Sequence, residues 1–182
     1  GVGGHLDELF AGFMAQLGSD SYRQYEFSHQ QNLNLANSLL FGTEQLPYYD
    51  LKNTNYLLSF GADYLTSWLS PVHYGLSYGH LRQERPGQRG RIVQVEPRLS
   101  LTGANADEWV PAKPGSEGVL ALGLAHVLVS NGHYDKADRE QWSKALQSYT
   151  PDRVSRDTGV DPQRITEIAE EFAHRRPSLA IG

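Results

Sequence analysis

Two short apolar runs, each closed by a polar loop, constrain this chain more than any other feature. Tyr56-Leu57-Leu58-Ser59-Phe60 lies between Asn53 to Asn55 and Gly61, and Arg91-Ile92-Val93-Gln94-Val95 is closed by Glu96 and Pro97. Runs this short and this uniformly apolar suit strands covered on both faces of a parallel sheet. Between them, Ser70 and Pro71 form a helix start, a serine in the cap position followed by a proline at the first helical position, and that helix runs towards Arg82. Glu84 to Gly90, with Pro86 and two glycines, reads as an edge turn. Strand, helix and strand in this order form a βαβ unit of right-handed connection. The expected fold class is therefore α/β: three layers, with a mostly parallel sheet flanked by helices.

The remaining segments fit that plan. His5 to Leu17 places Leu6, Leu9, Phe10, Phe13, Met14 and Leu17 at helical spacing and stops near Gly18; Leu33 to Phe41 reads as a second short helix ended by Gly42. Trp109-Val110-Pro111 is a candidate third strand. From Ser116 onward, Val119, Leu120, Leu122, Leu124, Val127 and Leu128 give a helix apolar on nearly every side. Helices follow around Lys136 to Tyr149 and Pro162 to Phe172, with Pro151 and Pro162 marking helix starts, and Leu179 to Ile181 begins another strand. At 182 residues, 39% of them hydrophobic, the chain supports one substantial core. We expect residues 1–49 to form a helical, pocket-side part and residues 50–182 an α/β cofactor-binding domain that continues beyond the chain, an internal segment of a larger protein.

Charge and composition remove several functions. With 21 acidic against 16 basic side chains, a nucleic-acid partner is not expected. Arg82, Arg85, Arg89, Arg91 and Arg98 form a local basic stretch, read either as a solvated loop or as phosphate contacts. The absence of cysteine excludes disulfides and thiolate or iron–sulfur ligation by this segment. No run has the apolar length of a membrane span. The seven histidines show neither H-E-x-x-H nor another metal spacing, and His126, inside the apolar helix, reads as a satisfied core residue. Ser28 and His29 are adjacent, but no G-x-S-x-G elbow surrounds them, so hydrolysis is unsupported.

In an open parallel sheet, ligands sit beyond the carboxyl ends of the strands. Gly61 to Ser70 lies at such an end and offers Gly61, Asp63, Thr66, Ser67 and Ser70, suited to a phosphate or to an ordinary loop. Neither G-x-G-x-x-G nor a Walker-type G-K-[ST] is present. Glu96, at the end of the second strand, is placed to accept from ribose hydroxyls; its alternative is a loop acid beside Arg98. Glu117, after the rigid Pro111 to Ser116 turn, is either a reader of guanine N1 and N2 hydrogens or a favourable charge at a helix start.

Taken in order, Leu57 to Asp63, Gly90 to Ser100, Ala104 to Pro111 and Lys113 to Gly118 resemble the large subunits of the molybdopterin oxidoreductase family, as do Tyr149 to Val154 and Thr158-Gly159-Val160. The wording is similar to the polysulfide and tetrathionate reductase-like and the quinol-oxidising respiratory branches. The resemblance implies a Rossmann-like domain that binds one guanosine diphosphate arm of bis-molybdopterin guanine dinucleotide, the cofactor that carries molybdenum. It implies Gly61, Asp63 and Ser70 near the diphosphate, Glu96 at the ribose with Arg98 and Ser100 in the same loop, and Glu117 at the guanine. Tyr25 to His29 resembles the segment that supplies a metal ligand, which makes Ser28 the implied molybdenum ligand and His29 a catalytic-pocket neighbour. Implied partners are the remainder of the large subunit, an iron–sulfur electron-transfer subunit carrying clusters outside this chain, and a membrane quinone-reactive subunit. The implied location is periplasmic or on the outer face of a membrane. The function implied is a segment of a two-electron molybdenum oxidoreductase, inactive alone; the alternative is a cofactor-free scaffold in a quinol-oxidising complex.

Overall fold

A computed structural model describes residues 5–23, 31–43, 45, 47–84, 87 and 89–182. Ser28, His29 and Arg85 lie outside the described residues. The chain divides into two units, Gly1–Tyr48 and Tyr49–Gly182.

The first unit holds α1 (His5–Gln16) and α2 (Gln31–Phe41). Each is followed by a glycine at positive φ, Gly18 at 65° and Gly42 at 67°, the left-handed step that ends a helix without a Cβ clash. No residue of α1 is buried, and its apolar side chains Leu9, Phe10 and Phe13 are exposed.

The second unit is built on a four-stranded parallel sheet: β1 (Tyr56–Phe60), β2 (Arg91–Val95), β3 (Glu108–Val110) and β4 (Ser178–Ile181), in the order β3-β2-β1-β4. The chain leaves β1 through α3 (Pro71–Gly79), which continues as a π-helical turn, His80–Glu84, into the turn before β2. A short α4 (Leu101–Ala104) separates β2 from β3. Then α5 (Glu117–Ser130), α6 (Arg139–Leu146), α7 (Pro151–Thr158) and α8 (Pro162–His174) return the chain to β4 on the far side of β1.

Alternation along the strands makes the three layers. Tyr56, Leu58, Val93 and Val95 join Leu120, Leu124, Val127, Val154, Ile165 and Ile168 in a core shared with α5, α7 and α8. Leu57 and Ile92 point the other way, into a second core with Tyr64, Tyr74 and Leu81. Both faces of the central strands are thus buried, which explains runs without a polar face. Full burial of a side chain such as Leu57 or Ile92 contributes about 1.5–3 kcal/mol. Gly123 lets α5 and α7 approach, since a Cβ there would lie 2.8 Å from Val154 Cγ2.

One expected cap is corrected, and a second serine before a helix also fails to cap. Ser70 does precede α3, but its side chain makes no cap bond; its backbone (φ −142°, ψ 85°) departs from the extended geometry that aims a capping hydroxyl at the first turn. Ser116 precedes α5 and likewise does not cap it, because its hydroxyl donates to the Lys113 carbonyl at 2.6 Å.

Candidate functional site

Sheet register assembles the candidate site. Phe60 pairs with Val95, and Val95 with Val110, so β1, β2 and β3 end level with one another. The chain then bonds across the same edge: Gly61 N–H donates to Val95 O at 2.8 Å, and Glu96 N–H to Val110 O at 3.2 Å. Gly61, Glu96 and the loop from Pro111 to Ser116 therefore start from adjacent strands. Because β2 and β4 flank β1 on opposite sides, the chain diverges at the carboxyl end of β1, the position at which doubly wound sheets open a ligand crevice.

Gly61 is exposed at φ 70°, a conformation costly for any residue with a Cβ, and open space faces it. Asp63 turns its carboxylate inward, one oxygen accepting from the Thr102 hydroxyl and the other from Thr66. Its backbone carbonyl accepts from Ser67 N–H at 2.9 Å and Trp68 N–H at 3.0 Å. Asp63 thereby fastens the β1–α3 loop to α4. Ser70 is exposed at the end of this loop.

Glu96 is 5% exposed and also folds inward. Its Oε1 accepts from Ser100 N–H at 2.7 Å, its Oε2 from Gln94 Nε2 at 3.1 Å, and its carbonyl from Trp109 Nε1 at 3.1 Å. Room for that carboxylate exists because residue 103 is glycine: a Cβ there would sit 2.4 Å from Glu96 Oε1. Gln94 Oε1, beneath it, is buried without a hydrogen-bond partner. Ser100 caps α4 by accepting from Gly103 N–H at 3.1 Å. Thr102, Gly103 and Gln94 are the positioning residues that sequence reasoning missed. A four-residue helix leaves too little periodicity to be seen, and only the S-x-x-G spacing from Ser100 hinted at a cap.

The arginine stretch resolves into two kinds. Arg82 bonds Asp107 at 2.6 Å and the Asn105 carbonyl at 2.8 Å; Arg89 lies 3.4 Å from Asp107; Arg91 bridges Glu108 and Glu171, each at 2.8 Å. These arginines hold strands and helices together. Arg98, in the loop after β2, is exposed and engages no carboxylate among the described residues. Lys113 donates to the Arg156 carbonyl at 2.7 Å. Glu117 is the first residue of α5, half-buried, and no hydrogen bond involves its carboxylate among the described residues.

Arg98, uncommitted among the described residues, and the start of the fourteen-residue α5 lie along this edge with Asp63 and Glu96. A cavity lies elsewhere. A volume of about 390 Å³ opens among Leu128, Trp142, Phe172 and Arg176, at the amino-terminal end of the sheet where α8 leads into β4. His126, expected in the core, is half-buried instead, with its Nδ1 2.9 Å from the Leu146 carbonyl. No helix among the described residues is long and apolar enough to cross a membrane.

A profile of the molybdopterin oxidoreductase family matches residues 5–180. The chain is 30% identical over 179 residues to the molybdopterin-binding-like subunit of menaquinone reductase from Nitratidesulfovibrio vulgaris, covering 98% of this chain and 26% of that protein. Over 163 residues it is 31% identical to the molybdopterin-containing subunit of arsenate respiratory reductase from Shewanella sp., covering 73% of this chain and 18% of that one. Among solved structures, acetylene hydratase from Pelobacter acetylenicus shares the fold with a TM-score of 0.61 at 24% identity, over 73% of this chain and 18% of its own. The chain spans about a quarter or less of the length of these relatives.

Proposed function

The chain belongs to the molybdopterin oxidoreductase family, and from that premise we propose that its α/β unit holds one guanosine diphosphate arm of a molybdopterin guanine dinucleotide within a larger oxidoreductase. The observation that carries this reading is the level carboxyl edge of β1, β2 and β3, which sets Gly61, the Glu96–Ser100 loop and the start of α5 side by side at the point where the chain diverges.

The donor set fits such a group. Gly61 leaves open space beside a backbone turn where a diphosphate approaches closely, and the Asp63 carboxylate is tied to two threonine hydroxyls. Arg98 supplies the uncommitted cation. Ser100 still has a hydroxyl hydrogen to give, and each Glu96 oxygen keeps a second lone pair that a ribose hydroxyl reaches once the buried carboxylate turns outward. Glu117 offers two oxygens to guanine N1–H and N2–H. Ser70 lines the loop that closes the diphosphate side, and Ser28, with His29 beside it, remains the proposed molybdenum ligand. When bound, the cofactor supplies two-electron redox chemistry at its metal; the chain's own part is to bind and orient it. Iron–sulfur and membrane partner subunits, and a location on the outer side of a membrane, belong to the same proposal.

Glu117→Ala is expected to weaken retention of the guanine nucleotide by about 2–4 kcal/mol, the worth of two charge-assisted hydrogen bonds in a partly desolvated site. Nucleotide content after gel filtration of the full-length variant reads this directly. Retention equal to wild type would remove Glu117 from the site.

A second reading has its own support. The Glu96 carboxylate is buried and already bonded, and the relative that covers nearly the whole chain is described as molybdopterin-binding-like. In this reading the unit serves as a cofactor-free scaffold in a quinol-oxidising respiratory complex.

A further inference from the structure

The expectation that the histidines lack a metal arrangement holds along the sequence and fails in space. His133, in the turn after α5, meets Glu170 and His174 of α8, and one donor atom from each residue lies within 4.8 Å of the others. Glu170 and His174 are four residues apart, so they share one helix face. His133 is separated from Glu170 by 37 positions, which is why no motif showed it.

We propose that His133, Glu170 and His174 form a binding site for a divalent transition ion of the Zn²⁺ class. Two imidazole nitrogens and a carboxylate oxygen are a donor set such ions take, with a fourth position left for solvent. The surrounding hydrogen bonds set the starting positions of the ligands. His174 Nδ1 lies 2.7 Å from the Glu170 carbonyl oxygen and donates to it, so the lone pair is on Nε2, and this exposed ring turns to present it. Asn131 Nδ2 donates to Glu170 Oε1 at 2.6 Å, which leaves Oε2 as the inward-facing oxygen. That oxygen is 2.7 Å from His133 Nε2 and 3.6 Å from His174 Nδ1. The two imidazole rings stand nearly perpendicular, with centroids 5.1 Å apart.

The cluster offers a nitrogen from each histidine and a carboxylate oxygen; His133 Nε2 donates to Glu170 Oε2 before an ion binds, and binding displaces that proton and frees the lone pair. A divalent cation satisfies all three at once, drawing them to the distances of about 2.0–2.2 Å typical of such ions. His174 is the most exposed ligand, its side chain 68% exposed, whereas His133 and Glu170 are 22% and 33% exposed. His133 also lines the cavity at the amino-terminal end of the sheet, which gives the ion a route in. Bound there, the ion clips the last turn of α8 to the turn after α5. This site stands at the opposite end of the sheet from the proposed nucleotide edge and does not depend on it.

The test uses the full-length protein, stripped with a chelator, equilibrated with Zn²⁺ and desalted, with zinc measured by mass spectrometry. Wild type is expected to hold about one equivalent more zinc than His133→Ala, Glu170→Gln or His174→Gln. His5→Ala, at an exposed His5–Glu8 pair with no third ligand among the described residues, should match wild type. The His174→Gln change lies at a mostly exposed side chain, so unaltered circular dichroism without zinc shows that loss of the ion is not loss of the fold. Equal zinc in wild type and in folded His174→Gln and His133→Ala proteins overturns the proposal, as does the absence of zinc from wild type.

Discussion

Gly103 and Glu96 show how one missing Cβ decides a side-chain direction. An acid after a β-strand, followed by Pro97 and Arg98, reads from sequence as a group reaching outward, yet its carboxylate lies inside because Gly103 leaves the space and Ser100 N–H supplies the bond. Gly103→Ala would place a methyl 2.4 Å from Oε1. Expelling a doubly bonded carboxylate is expected to cost about 1–3 kcal/mol in urea denaturation. Glu96→Ala alone should cost about the same by leaving Ser100 N–H unpaired, and the double variant should lose less than the sum, because the clash has gone. Glu96→Gln should be nearly neutral in stability: the Gln94 amide can turn its unpaired Oε1 towards the new NH₂ group. Full additivity in the cycle would mean that the two residues act separately.

Elements were legible where local chemistry and burial agree. The five-residue strands stand out because sheet faces on both sides demand unbroken apolar runs, and the αL glycines after α1 and α2 end those helices where the sequence punctuates them. What could not be read was contact between distant elements. Gly123 looks like a defect in an otherwise apolar helix, but it is where Val154 of α7 fits. Gly123→Ala gains about 1 kcal/mol of helix propensity and loses about 1–3 kcal/mol to overpacking, so a net loss is expected, relieved in part by adding Val154→Ala. A thermal midpoint for Gly123→Ala at or above wild type would contradict the close α5–α7 packing. On α8, Arg164 donates to Glu167 at 2.8 Å, and this bond, then one from Gln163, holds the Glu167 carboxyl below its usual range. A carboxyl depressed in the folded state contributes stability above its unfolded pKa and loses it as pH falls through the folded value. The urea midpoint of wild type should therefore exceed that of Glu167→Gln at neutral pH, and the gap should close on acidification below about pH 4. A gap independent of pH would assign the difference to packing instead.

For the molecule as a whole, the α/β class and the family were legible because an ordered set of weak motifs spans most of the chain and a level parallel edge brings its loops together. Whether those loops still hold a nucleotide depends on side-chain directions that no spacing reveals: Asp63 and Glu96 turned inward, Arg98 and Glu117 left uncommitted. The chain also spans only 26% of its menaquinone reductase relative. The most direct measurement is therefore made on the full-length protein in its assembled complex: molybdenum content, together with guanine nucleotide released by acid hydrolysis. The account predicts GMP and molybdenum in stoichiometric yield, with both falling in the Glu117→Ala protein. A folded, fully assembled complex that contains neither contradicts it and leaves the unit as a scaffold.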